Sequence, residues 1–279
     1  MSNLILFTNR SGSTILQDIL SYADGSINLG EGLHSIVRDY NYNTTKNKQS
    51  DLYGEFAQFN LTGQYHNQQT RGSDHIGFTK GKQKRINLLK NTSQQWTVKE
   101  QLEKQTIDVN FIDYCARSDI NIYMTHRRDV VAQFKSKINA RYRLEVATHL
   151  HGRNHKSQFI FTNQDAFKTY EEMRINFLWL HLYTNVFIEQ LMIWRVIYER
   201  YKDVVKLVSY EDCIKPMNFE SLKINSNIVE QYKKERKHLV PTPFNCERVV
   251  VTDDHPKPII GAWQQSLYYV EKHKYLVEV

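Results

Sequence analysis

The most constraining feature of this chain is a strand–loop–helix unit near its start. The apolar run Leu4–Phe7 leads into a loop with Arg10 and Gly12, and then into Ile15–Leu20, whose apolar residues recur at helical spacing. Glycine allows close backbone approach, and the first N–H groups of a helix have no partner inside it. These amides, the guanidinium and nearby hydroxyls can all face one anion. The hydroxyls belong to Ser11, Ser13 and Thr14.

The loop lacks the lysine of the common nucleotide-binding motif. Gly-x-x-x-x-Gly-Lys-Ser/Thr is absent, and no lysine follows Gly12 to reach a pair of β- and γ-phosphates. The segment Arg10–Thr14 therefore indicates an anion other than an ordinary nucleotide triphosphate. An ordinary capped turn fits the same residues, because serine and threonine are favoured before helices for purely structural reasons.

A second segment repeats this arrangement of a strand, basic residues and a helix. The β-branched run Ile120–Thr125 predicts a strand, and His126–Asp129 separates it from a helical run that begins at Val130. Arg128 and Ser136 are eight residues apart, a little over two helical turns, so both can lie on one face. A solvated helix start is the alternative interpretation, since Asp129 is favourable near the positive end of a helix dipole.

These segments resemble the sulfotransferases that use 3′-phosphoadenosine 5′-phosphosulfate (PAPS), and the arginine in the loop resembles the carbohydrate and trehalose members. The resemblance implies that Arg10–Thr14 bind the 5′-phosphosulfate and that Arg128 and Ser136 bind the 3′-phosphate. A third match, Leu207–Asp212, implies that Tyr210 approaches the adenine. The family's glycine-rich, lysine-containing C-terminal loop is only partly present at residues 257–263.

A candidate general base follows from the expected topology. Residues 25–30 predict a turn and a short second strand, and Glu31 stands just past its end. Carboxyl ends of neighbouring parallel strands share one crevice, so we expect Arg10 and Glu31 to face the same site. The trehalose-type sulfotransferases, by resemblance, carry a glutamate here as general base. His34 is the rival base, because an imidazole has an unperturbed pKa closer to neutrality.

The chemistry implied by the resemblance is in-line transfer of a sulfuryl group from PAPS to a hydroxyl on a carbohydrate or small metabolite, leaving PAP as product. Glu31 would take the acceptor's proton, which favours a carboxyl whose pKa is raised by burial. Arg10 and the loop amides would stabilise charge on the leaving phosphate. No metal is expected, since Cys115, Cys213 and Cys246 are scattered and no histidine pair stands at zinc spacing with them.

Length and composition predict a single domain over residues 1–279. A chain with 41% hydrophobic residues can bury the core of one P-loop-like, three-layer α/β fold, whose mainly parallel sheet is flanked by helices. The few cysteines and the lack of a signal sequence or a long apolar run predict a cytoplasmic protein without a membrane partner. The net charge of +7 and the basic cluster at 80–85 predict a solvated face, and no nucleic-acid partner is expected.

Other segments carry less specific expectations. Residues 38–100 are polar and predict a variable lid and acceptor-binding region of loops and short helices. Residues 98–117 predict one helix, and residues 165–201 predict a long helix with a break.

Two alternatives to a sulfotransferase stay open. One is a kinase-like phosphotransferase on the same scaffold, which the missing lysine disfavours. The other is a protein that binds a nucleotide or nucleic acid without catalysis. Binding experiments with PAP, ATP and a single-stranded oligonucleotide would separate the three functions.

Overall fold

The computed structural model describes residues 1–33, 51–58, 73–103, 107–138, 177–235 and 257–279. His34 and Cys246 lie outside the described residues, as do large parts of the region 38–100. The chain divides into two compact units. The first contains Met1–His126 and Val196–Val240, and the second contains Arg127–Arg195 and Pro241–Val279.

The first unit is built on a five-stranded, all-parallel sheet, which confirms the predicted α/β class. The strands stand in the order β2-β3-β1-β4-β5. The central strand β1 pairs with β3 on one side and with β4 on the other, so that Leu4 lies opposite Val98 and Ile122. The strand bounds are β1 Ser2–Phe7, β2 Ile27–Asn28, β3 Trp96–Gln101, β4 Ile120–His126 and β5 Val205–Ser209.

Helices of the first unit lie between these strands in the chain or follow the last of them. They are α1 Ser13–Asp24, α2 Asp51–Gln58, α3 Ser73–Asn91, α4 Val109–Arg117 and α7 Ser226–Glu235. Helix α1 ends at Gly25, whose φ of 65° is the left-handed conformation that glycine adopts without strain. Helix α4 is capped at its start by Asp108, whose side chain accepts a hydrogen bond from the Phe111 amide. Helix α6, Phe177–Tyr201, leads into β5 and contributes its last turns to this unit.

Alternating side chains of the strands pack against helices on both faces of the sheet. On one face, Ile5 and Tyr123 join a buried cluster with residues of α1 and α7, such as Leu16 and Tyr232. On the other face, the Trp96 ring stacks on Phe111 of α4 at 6.2 Å between centroids. The hydroxyl of Tyr201 in α6 donates to the Asp113 carboxylate of α4 at 2.6 Å. These two layers of helices complete the three-layer arrangement.

The prediction of one helix over residues 98–117 was wrong. Residues 96–101 form β3, which is buried along its whole length, and the helix α4 starts only at Val109. The polar residues Lys99, Glu100 and Gln101 are uncommon in a central strand and weaken the strand pattern in the sequence. Pairing with β1 and β2 on either side outweighs that local preference.

Most other local predictions were close to the structure. The strands predicted at residues 4–7 and 120–125 correspond to β1 and β4, and the short second strand corresponds to β2. Strand β5 ends at Ser209, and Tyr210–Ile214 form a single π-helical turn after it. Helix α6 lies within the predicted helix 165–201, whose first residues lie outside the described part of the chain. The region 38–100 contains a helix of 19 residues, α3, which is longer than expected.

The second unit is described by its helices. Residues 130–138 form α5, the first part of α6 follows, and α8 spans Lys257–Lys272 before a 3-10 turn at Lys274–Val277. Phe134 of α5 packs against Phe187 at 5.3 Å and Trp263 at 5.9 Å between ring centroids. Lys137 donates to the Gln190 side chain at 2.7 Å. Among the described residues, no helix is both long enough and apolar enough to cross a membrane.

Candidate functional site

The loop between β1 and α1 has a backbone suited to an anion. Arg10 has a φ of 64° and Gly12 a φ of 85°, two left-handed residues within three positions. The hydrogen bonds of α1 begin with the amides of Ile15 and Leu16, which donate to the Gly12 carbonyl at 3.1 and 3.3 Å. The amides that precede them have no partner within the helix, and turns that contain left-handed residues can gather such N–H groups into a concave anion site.

Ser11 fixes this loop to the neighbouring strand β4. Its buried hydroxyl donates to the Thr8 carbonyl at 2.7 Å and lies 2.6 Å from the Thr125 hydroxyl. Because its proton is used within the loop, we infer that Thr125 donates the second hydrogen bond. The Ser11 hydroxyl therefore holds the loop in shape. The side chain of Thr14 is exposed at the start of α1, whereas Ser13 is buried.

Tyr210 lies against the loop. A Cβ placed on Gly12 would come within 2.9 Å of a ring carbon of Tyr210 and within 2.8 Å of a methyl group of Ile214. The turn after β5 thus packs directly on the loop backbone. Any larger residue at position 12 would have to displace this turn and would also take up a left-handed conformation.

A lysine that the sequence did not single out connects Glu31 to the loop. Lys99 lies on β3, and its ammonium donates to the Thr14 hydroxyl at 2.9 Å and to the Glu31 carboxylate at 3.1 Å. The same ammonium lies 5.1 Å from the centroid of the Phe7 ring. Lys99 therefore connects Glu31 to the loop of residues 10–14, here called the anion loop, and the three groups form one cluster.

The expectation that β1 and β2 are neighbouring strands was wrong. Strands β1 and β2 are not neighbours, since β3 is inserted between them. The crevice that Arg10 and Glu31 were expected to share is therefore widened by one strand, about 4.8 Å. Lys99 of the inserted strand spans this added distance, because its side chain is long enough to contact both flanking elements.

The environment of Glu31 also differs from the expected buried carboxyl. The Glu31 side chain is 28% exposed, whereas the Lys99 side chain is 3% exposed. Glu31 is thus paired with a buried ammonium on one side and has access to solvent on its other side.

Hydrogen bonds fix the backbone of the turn that carries Glu31. Gln17 of α1 donates to the carbonyls of Gly30 and Thr97 at 3.0 and 3.2 Å. The Gly30 carbonyl also accepts from the Lys99 amide at 3.0 Å, while the Gly30 amide donates to the Asn28 side chain at 3.0 Å. Gly30 itself has a φ of 60°. The position of Glu31 relative to α1 and β3 is therefore defined by several contacts.

Strand β3 carries a second ion pair on its opposite face. Glu100 lies beside the ammonium of Lys82 from α3, and both side chains are buried. Burial raises the pKa of the Glu100 carboxyl to about 7, although Lys82 opposes this rise. Two successive residues of β3 thus face opposite sides of the sheet. Lys99 lies on the side of α1, and Glu100 lies on the side of α3.

The two residues expected at the 3′-phosphate lie in the second unit. Arg128 is exposed, and Ser136 is half-buried on α5. The Asp129 carboxylate accepts from the Ala132 amide at 2.8 Å and so caps the start of that helix. The roles of Arg128 and Ser136 at the 3′-phosphate stay predictions.

The segment that partly matches the family's C-terminal loop begins a helix instead of a loop. Residues 257–263 are the start of α8, and a Cβ on Gly261 would meet no atom within 4 Å. That glycine is not required by the local backbone. A glycine-rich ligand loop is therefore absent from this described segment.

Within the described ranges, no three or more histidine, cysteine, aspartate or glutamate side chains are grouped so that they could hold a metal ion. A comparison with known protein families, with curated proteins and with solved structures found no match to this chain.

Proposed function

We propose that this chain is a PAPS-dependent sulfotransferase that acts on a hydroxyl of a carbohydrate or small metabolite. One observation carries the proposal. The Lys99 ammonium donates both to the hydroxyl of Thr14, in the first turn of α1, and to the carboxylate of Glu31. An anion loop and a proton acceptor thus belong to one cluster, as group transfer from an anionic donor to an alcohol requires. The free thiols of Cys115 and Cys213 fit a reducing compartment, so the proposal includes a cytoplasmic location.

The loop residues would hold the phosphosulfate end of the co-substrate, which supplies an activated sulfuryl group. The backbone at Arg10 and Gly12 is left-handed, the first amides of α1 would face the anion, and the side chain of Arg10 is exposed. Lys99 adds an ammonium at the start of α1. These fixed charges stabilise the phosphate as its negative charge increases in the transition state.

Glu31 would accept the proton of the attacking hydroxyl. In the balanced step, the acceptor oxygen forms a bond to sulfur while the bond from sulfur to the phosphate oxygen breaks. The electron pair of the broken bond leaves with the phosphate, and the acceptor's proton goes to the Glu31 carboxylate. The ion pair with Lys99 holds this carboxylate beside the loop, where it can reach an acceptor hydroxyl.

Three further residues would define the nucleotide. By resemblance, Arg128 and Ser136 would bind the 3′-phosphate and Tyr210 would approach the adenine. The contact of Tyr210 with the loop at Gly12 supports the last of these assignments. An exposed guanidinium at Arg128 provides the charge-assisted contact that a phosphate requires.

The test compares Glu31→Gln with Glu230→Gln, a control that removes a carboxylate 70% exposed on α7. PAPS consumption is measured with a panel of alcohols, and PAP binding is measured by calorimetry. Glu31→Gln should keep PAP affinity and lower the transfer rate by roughly 10²–10⁴-fold, because an amide cannot accept the proton. Glu230→Gln should match the wild type, and His34→Gln should cost much less than Glu31→Gln.

Two outcomes would change the proposal. If His34→Gln abolishes transfer while Glu31→Gln stays active, the base is not Glu31. If the wild-type protein binds no PAP and consumes no PAPS with any acceptor, the sulfotransferase function fails.

Lys99 also favours a second candidate, a kinase-like phosphotransferase. Its ammonium at the start of α1 could take the place of the lysine that is missing from the loop sequence. The two functions differ in their dependence on metal and donor. Strict dependence on Mg²⁺ with consumption of ATP would identify the kinase, whereas transfer from PAPS that persists in EDTA would identify the sulfotransferase.

A further inference from the structure

The turn that carries Glu31 is also held by an arginine of α3. Arg85 is fully buried, and its guanidinium donates one hydrogen bond to the Gly32 carbonyl. A second donor of the same side chain reaches the Phe56 carbonyl in α2 at 3.2 Å. Arg85 therefore links the residue next to Glu31 to a helix that is distant in sequence.

Packing around this contact leaves the turn little room to move. The Arg85 guanidinium lies 4.8 Å from the centroid of the Phe56 ring. A Cβ on Gly32 would come within 2.2 Å of a carbon in that ring. The glycine, the aromatic ring and the guanidinium thus pack tightly together, and a shift of one requires a shift of the others.

The same helix also holds the strand that carries Lys99. Lys82 and Arg85 stand three residues apart on one face of α3, and Lys82 pairs with Glu100, the neighbour of Lys99. Helix α3 therefore contacts both backbone segments from which Lys99 and Glu31 approach each other. Their ion pair depends on a fixed distance between these two segments.

Burial of the Arg85 guanidinium is energetically unfavourable. Burial lowers the pKa of Arg85 to about 10, which records the unfavourable removal of the cation from water. An apolar side chain could fill the same volume without that cost. The fork of donors on arginine offers what an apolar group lacks, namely simultaneous hydrogen bonds to two carbonyl groups.

We propose that Arg85 is a positioning residue, which fixes the turn at Gly32 so that the Glu31 carboxylate stays at the edge of the anion loop. The inference rests on the proposed function, in which Glu31 accepts the acceptor's proton. Arg85 acts through the backbone of the turn, by its hydrogen bond to the Gly32 carbonyl.

The experiment uses Arg85→Met, Arg85→Lys and Gly32→Ala in the full chain. Lys84→Met serves as a matched control, since it removes an exposed cation from the adjacent position of α3. Hydrogen exchange of the peptide that covers residues 29–33 is followed by mass spectrometry in each variant. Kinetic constants for PAPS are measured with an acceptor that the wild type uses.

In Arg85→Met, exchange in residues 29–33 should rise by about tenfold, while exchange in β1 and α1 stays unchanged. The value of kcat should fall at least roughly tenfold, because a small displacement of a proton acceptor is costly. KM for PAPS should stay within about twofold, since the loop at 10–14 is not altered. Arg85→Lys should give an intermediate result, and Lys84→Met should match the wild type.

Unchanged exchange in residues 29–33, or an unchanged kcat in folded Arg85→Met, would overturn the positioning role. If Arg85→Met does not fold, Gly32→Ala and Arg85→Lys decide by the same two measurements. If the wild type uses no PAPS, the proposed function fails by itself. The exchange measurement then still decides whether Arg85 fixes the turn.

Discussion

Replacement of Lys99 by methionine tests the centre of the candidate site. Methionine has a similar length and packs in an apolar environment, so the change removes the ammonium with little loss of volume. The wild-type ammonium lies 3.1 Å from the Glu31 carboxylate, and its side chain is 3% exposed. Lys99→Met therefore leaves Glu31 without its cation and the Thr14 hydroxyl without a donor.

The size of the effect follows from distance and exposure. At 3.1 Å, Coulomb's law gives about 1.3 kcal/mol in a dielectric of about 80 and about 5 kcal/mol in a dielectric of about 20. Because the Glu31 side chain is 28% exposed, screening brings the value toward the lower limit. We expect a coupling free energy of about 1–3 kcal/mol between the two side chains.

A double-mutant cycle measures this coupling. Unfolding in urea, followed by tryptophan fluorescence, is compared for the wild type, Lys99→Met, Glu31→Gln and the double variant. Lys202 and Glu199 form the matched control, because their charged atoms lie 3.2 Å apart with side chains 52% and 43% exposed. Their coupling should be below about 0.5 kcal/mol, as is usual for exposed pairs in one helix.

A coupling between Lys99 and Glu31 no larger than that of the exposed control pair would refute the reasoning. PAP binding gives an independent check. Lys99→Met should weaken PAP by roughly tenfold or more, since it removes a positive charge beside the anion loop.

Three further predictions test other parts of the molecule. Arg128→Ala should weaken PAP binding by roughly 2–3 kcal/mol and leave the binding of an analogue without the 3′-phosphate unaffected. Ser136→Ala should weaken PAP binding less. Equal losses for both ligands in calorimetry would contradict the assignment. Gly12→Ala should destabilise the loop by at least roughly 1–2 kcal/mol, because position 12 has a left-handed φ of 85°. A distorted loop should bind PAP more weakly, so an unchanged PAP affinity in the variant would contradict this prediction. Glu100→Gln should alter the pH dependence of stability. The pKa of Glu100 is raised to about 7 in the folded state, so its stabilising contribution is complete below the unfolded pKa and is lost as pH rises through about 7. Urea unfolding of wild type and variant between about pH 5 and about pH 7.5 measures the difference, and identical slopes would contradict the assignment.

The turn between β1 and α1 and the strand β4 could be predicted because their local signals agree with their tertiary environment. Apolar runs at residues 4–7 and 120–125 end at basic residues, and both form buried parallel strands. Glycine at position 12 marks the left-handed turn that the loop adopts. Local chemistry and fold point to the same structure here, and the sequence is sufficient.

Lys99 could not be found in the sequence, because its function in the site depends on strand order. Its neighbours Val98 and Glu100 fit a helix as well as a strand, and nothing local shows that β3 is inserted between β1 and β2. Arg85 was grouped with a solvated basic cluster for the same reason. Of the cluster at 80–85, Lys82 and Arg85 are buried, while Lys84 is exposed. Charge composition does not distinguish these cases, whereas tertiary contacts do.

The insertion of β3 has a consequence for the order of folding. The side chains of Asn3 and Thr97, which join β1 to β3, are 94 positions apart in the chain, and Lys99 is 85 positions from Thr14. Closing loops of this length has an entropic cost before the contacts form, so such pairings slow folding. During synthesis, the anion loop therefore emerges long before the ammonium that completes it. Ligand binding at this cluster should then report a late stage of folding.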